Sequence, residues 1–138
     1  MCINSKRAYS ITNNDGSRKP YTTYEWNCRG THVTIPNNSF AVLYGRIKWL
    51  NGKPNGIVIV SNPNDIFNTV VSGVSHGIET DISSIGEYDK MMSLVLYTSA
   101  IVEPGTYYLC SCLDRNWKDP VGSGFISEEE LTAIIFTY

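Results

Sequence analysis

Charge is scarce in this sequence. Asp, Glu, Lys and Arg make up 17% of its 138 residues, against about 25% in ordinary globular domains. With 42% apolar residues the chain is neither a disordered polar segment nor a charged coiled coil. A basic excess is missing as well. The net charge of −2 argues against nucleic acid as a partner. No apolar run approaches the ~18 residues of a membrane helix, so no membrane partner is expected. The opening MCINSKRAYS lacks the apolar core of a signal peptide, which predicts a chain that stays inside the cell. Helix signals are nearly absent, and Ser127 with Glu130 fits a capping box.

Signatures of catalysis are also thin. Gly122-Ser123-Gly124 lies in a loop rather than in a strand-to-helix nucleophile elbow, and no glycine-rich phosphate loop occurs. The two histidines, His32 and His76, do not form a paired motif. His32 opens an H-x-T triplet of the kind used by two-histidine phosphoesterases, but Gly77 and Ile78 follow His76. Carboxylates cluster at Glu79 and Asp81, Glu87 and Asp89, Asp114 and Asp119, and Glu128 to Glu130. None has the Asp/Gly spacing of a calcium loop, and solvated charge explains them. The sequence therefore predicts no catalytic residue, no metal and no cofactor.

Strand periods fill the chain instead. Residues 31–35 alternate Val33 and Ile35 with His32 and Thr34. In residues 40–50, Arg46 and Lys48 fall opposite Ile47 and Trp49, and Gly45 marks a bulge or a close backbone contact. Residues 56–60, GIVIV, are apolar throughout and predict a short strand buried on both faces or packed in a sandwich. Asn51-Gly52 is a hairpin signal, and Pro104-Gly105 predicts a second hairpin between strands at 91–100 and 106–113. Residues 61–65 form a turn by composition, and the valines of 66–74 favour a strand. Residues 75–90 form a long loop with a short strand near 82–85. The β-branched 131–138 favours a strand over the helix that Ser127 and Glu130 would start. Residues 1–24 are polar and read as an N-terminal arm with one possible strand at 7–12; residues 25–138 form the domain. The sum is an all-β sandwich of seven or eight strands.

The four cysteines are Cys2, Cys28, Cys110 and Cys112. Two apart on a strand, Cys110 and Cys112 share a face and read as small inward apolar residues. A disulfide from Cys28 to one of them stays open, but with no export signal the chain is expected to be mostly reduced.

Aromatics are the richest signal, with nine Tyr, three Trp and four Phe. Such residues supply stiff contact area at interfaces, where Lys and Glu are depleted. On the final strand Ile134, Phe136 and Tyr138 point opposite Leu131, Ala133 and Ile135. The first set is the candidate oligomer interface, because an isolated sandwich would leave one of the two faces wet. Residues 1–30 carry five basic and two acidic side chains, and residues 114–138 two basic and five acidic. Ends of +3 and −3 suit pairing within the fold or between neighbouring subunits. Asp114, Arg115, Asn116 and Trp117 form a candidate ligand loop, in which the Trp would stack on a sugar and the polar groups bond its hydroxyls.

HVTIP at 32–36, VEPGTYYL at 102–109 and the terminal LTAIIFTY resemble the trimeric jelly-roll heads of tumour-necrosis-factor-like proteins and of bacteriophage fibre or capsid-decoration proteins. The resemblance implies a jelly roll with its last strand beside a trimer axis and a polar arm before it. It implies a non-enzymatic virion protein, assembled in the host cytoplasm. Its partners would be copies of itself, a trimer before a dimer, and other virion proteins reached through the arm. A glycan-binding module for a host glycan is the alternative, and a small phosphoesterase using His32 the least favoured.

Overall fold

The longest alternations in the chain become its longest strands. A computed structural model describes residues 8–15, 26–50, 53–75, 93–114 and 125–138. These hold eight strands and no helix: β1 (Ala8–Asp15), β2 (Trp26–Ile35), β3 (Ser39–Leu50), β4 (Lys53–Val60), β5 (Val70–Ser75), β6 (Ser93–Val102), β7 (Gly105–Asp114) and β8 (Phe125–Thr137). They form two four-stranded antiparallel sheets, ordered β1-β8-β3-β6 (sheet A) and β2-β7-β4-β5 (sheet B). The chain is an all-β sandwich.

Residues one apart on a strand face opposite ways, and that rule builds the core. Ala41, Leu43, Ile47 and Trp49 of β3 and Leu131, Ala133 and Ile135 of β8 turn inward from sheet A. They meet Val33, Ile35, Ile57, Ile59, Tyr107 and Leu109 from sheet B. A bulge in β8 opposite Lys48 and Trp49 shifts the phase, so that Ile126 is buried too. Gly45 is the close contact of the sandwich, since a Cβ there would lie 2.8 Å from Leu109 Cδ1. The buried Glu129 accepts a hydrogen bond from Thr31 Oγ1 at 3.1 Å. Side-chain bonds also tie the sheets together at both flanks. Asn13 Nδ2 donates to the His32 carbonyl at 3.1 Å, and Ser72 and Thr98 hydroxyls pair at 2.8 Å.

Several sequence expectations change. Pro104-Gly105 does not close a hairpin: β6 pairs with β3, whereas β7 pairs with β2 and β4, so the chain crosses between sheets there. The Tyr107 hydroxyl donates to the Glu103 carbonyl at 2.7 Å and fixes that corner. Asn51-Gly52 lies outside the described residues, but β3 and β4 belong to different sheets, which excludes a β3–β4 hairpin. The only described strands that are both consecutive and paired are β4 and β5. The expected strand at 66–74 begins only at Val70. The segment before it is a turn-rich strap held by its own hydrogen bonds. The stretch assigned to the arm contributes β1, which pairs with β8 along its whole length. The terminal segment is a strand and contains the capping-box residues.

Cysteine pairing is a further correction. Cys28 and Cys110 are register partners on β2 and β7, with Cα atoms 4.2 Å apart, and form a disulfide. Closely spaced antiparallel partners bring two Cβ atoms into bonding range, so Cys110 is not an inert thiol. Cys112 is buried outside the disulfide. The loop at 75–90 and its expected short strand fall almost entirely outside the described residues.

Candidate assembly face

The outward residues of sheet A line up in rows across β1, β8, β3 and β6. Ala8, Phe136 and Phe40 make the first row, and Ser10, Ile134, Val42 and Ile101 the second. Thr12, Thr132, Tyr44 and Ser99 make the third, and Glu130, Arg46 and Tyr97 the fourth. One end of the face is therefore apolar and the other charged, a division set by the alternation of β3 and β8.

At the apolar end Phe40 and Phe136 stack with ring centroids 5.1 Å apart, and Tyr138 tilts against Phe40 at 6.0 Å. These contacts leave Ile134, Phe136, Phe40 and Val42 only half-buried. Ile101 is 78% exposed, Tyr97 64%, and Tyr44 and Tyr138 48% each. In the middle, Thr12 and Thr132 hydroxyls bond at 3.0 Å. At the charged end Arg46 sits between two carboxylates, 2.9 Å from Glu130 and in hydrogen-bond contact with Glu128. The hydrogen bond to Glu130 leads in holding the Arg46 pKa above its ordinary value, Glu128 adds to it, and partial burial opposes both. This cluster is partly screened by water and contributes little stability, but it fixes the charge pattern of one end of the face.

No family model and no curated protein matches this chain.

Each predicted site residue has a place in this geometry or lies outside it. Ile134, Phe136 and Tyr138 share the outer face of sheet A. The sequence reading missed their neighbours Phe40, Val42, Tyr44, Tyr97 and Ile101. The alternation of 40–50 marks the face of Tyr44, but only the β3–β8 and β3–β6 registers reveal which strands join it. Of the candidate ligand loop, Arg115, Asn116 and Trp117 lie outside the described residues, and Asp114 ends β7. His32 is exposed on β2, its Nδ1–H donating to the Gly30 carbonyl at 2.6 Å and its ring tilted 5.5 Å from Tyr108. Among the described residues no group of three His, Cys, Asp or Glu side chains could hold a metal ion.

The outer face of sheet B is built differently. Val58, Val60 and Cys110 point outward yet are buried, packed with Trp26, Cys28, Ile66 and Tyr108. The cover is the strap of residues 61–69, which crosses the sheet and sets Phe67 against Trp26 in a T-shaped contact with ring centroids 5.9 Å apart. Ser61 N–H donates to the Thr69 carbonyl at 3.1 Å, closing the strap at its base. Thr69 Oγ1 also donates to the Asp65 carbonyl at 2.8 Å.

Proposed function

We propose that this chain is a non-enzymatic virion protein, structural, decorating or attaching, that acts by assembling with copies of itself through the outer face of sheet A. The observation that carries the reading is the exposure of Tyr44, Tyr97, Ile101 and Tyr138 around half-buried Phe40, Ile134 and Phe136. Soluble monomers seldom leave such a contiguous apolar patch open. Four strands ~4.8 Å apart and about eight residues of ~3.4 Å each give a face of about 500 Å² in projection. That approaches the roughly 800 Å² per partner of a standard interface, before side-chain relief is counted.

The strand orders 1-8-3-6 and 2-7-4-5 favour a jelly roll, an eight-stranded double sheet of two Greek keys. The assignment to a bacteriophage or other virion rests on the resemblance to trimeric jelly-roll heads. The Cys28–Cys110 disulfide agrees with it, because such bonds persist on virion and cell surfaces. Contact with other virion proteins through the polar N-terminal arm belongs to the same reading.

Light scattering of the full chain at micromolar concentration tests the proposal. The expected mass is three times the 15.4 kDa of one chain, and two chains would still place the face in an interface. A single-chain mass overturns it.

A further inference from the structure

We infer that the strap of residues 61–69 is a binding site for a neutral sugar. The two sheets face opposite ways, so a strap on sheet B stays open whether or not sheet A is covered. Phe67 is 72% exposed, while its neighbour Ile66 packs on the sheet. Its ring meets that of Trp26 in a T-shaped contact at an interplanar angle of 89°. That contact braces the ring while most of its surface stays open to solvent, which suits a stacking platform for the C–H face of a pyranose. An aromatic ring on a rigid support binds with little loss of conformational freedom.

The polar groups beside it have the matching chemistry. Asn64, Asp65 and Asn68 are exposed within five residues of the same turn as Phe67. Asn68 Nδ2 donates to Asp65 Oδ1 at 2.9 Å, which orients both side chains. Asp65 Oδ2, Asn68 Oδ1 and the Asn64 amide remain for a ligand. An amide offers two donors and an acceptor, and a carboxylate oxygen accepts from a hydroxyl. Together they suit vicinal hydroxyl groups, each both donor and acceptor. Asp65 is the only charge in the strap, so an anionic sugar would be repelled and a neutral one favoured.

The strap is also pre-organised. Asn64 N–H donates to Asn62 Oδ1 at 2.9 Å, Asp65 N–H to the Asn62 carbonyl at 3.1 Å, and Asn62 N–H to Thr69 Oγ1 at 3.1 Å. Ile66 packs on the Val58, Val60 and Cys110 cluster beneath. The turn is held in one shape before any ligand arrives. The inference does not depend on assembly through sheet A.

The test uses the full chain on an array of neutral and sialylated oligosaccharides, followed by titration of the labelled protein with the best free sugar. Neutral glycans should bind, Phe67→Ala should weaken binding at least tenfold, and Phe67→Trp should keep it. Asn64→Ala should weaken it severalfold. Because Phe67 and Asn64 are exposed, circular dichroism of the variants should match the parent. The inference is overturned if no neutral glycan binds at millimolar concentration, or if only sialylated glycans bind. It fails equally if Phe67→Ala leaves binding intact while Trp117→Ala abolishes it, or if Phe67→Ala changes only the assembly mass.

Discussion

On sheet B the outward Val58, Val60 and Cys110 are buried, whereas on sheet A the outward Tyr44, Tyr97 and Ile101 are exposed. Both faces carry apolar side chains on central strands. What separates them is whether the chain supplies its own cover. On sheet B the nine-residue strap supplies the cover: several of its backbone groups find partners within the strap, while Ile66 and Phe67 reach the sheet. No described segment crosses the outer face of sheet A. An outward apolar residue is thus core or contact surface according to the loop that follows it, and its own strand pattern does not say which.

Breaking sheet B should have the largest effect on stability. Replacing both Cys28 and Cys110 by Ser opens a link between residues 82 apart, which the chain-entropy model values at about 4 kcal/mol. Urea unfolding should show that loss with little change in the shape of the native state. A loss under about 1 kcal/mol would mean that the strap seals the face without help from the disulfide.

Sheet A should respond in mass rather than in fold. Ile101→Asp places a charge on a side chain that is 78% exposed, so the single chain should fold normally while light scattering falls to one chain. Ile134→Asp should do the same at some further cost in stability, since Ile134 is half-buried between Val42 and Ser10. An unchanged mass in both variants would move the interface elsewhere.

Inside the sandwich, Thr31→Val removes one donor to the buried Glu129. Leaving a buried carboxylate short of a hydrogen bond should cost about 1–3 kcal/mol, read from the urea midpoint. The smallest effect belongs to the strap surface. Phe67→Ala loses one edge-to-face contact and should change stability by about 1 kcal/mol or less, whatever it does to a ligand.

Much of this architecture was legible residue by residue. Val33 and Ile35, the opposition of Arg46 and Lys48 to Ile47 and Trp49, the doubly buried 56–60 and the two faces of 131–138 all follow from a period of two. Gly45 announced its close contact. Partnership was not legible. Pro104-Gly105 reports that the chain reverses, and the same local chemistry serves a hairpin and a crossing between sheets. The Cys28–Cys110 bond depends on a register between strands far apart in sequence. The strap looked like a strand because Ile66, Phe67 and the following valines give one apolar signal, and only the fold shows that the first two lie across a sheet rather than within one. At the candidate site, Ile134, Phe136 and Tyr138 were found from one strand, while the half of the face supplied by β3 and β6 needed the sheet order.

The position of β8 between β1 and β3 has a consequence for how the protein is made. β8 is the last of the eight strands in chain order, yet it sits in the interior of sheet A and gives both neighbours their hydrogen bonds. Until residues 125–137 have been synthesised, β1 has no partner among the described strands and β3 lacks one of its two. A growing chain can therefore form the β4–β5 hairpin early but must hold β1 and β3 open. Folding waits on a contact between residues about 120 apart, which places it among the slower, non-local topologies. During that interval unpaired strands and apolar side chains are exposed to other nascent copies, so yield should depend on chain concentration and on how quickly β8 inserts.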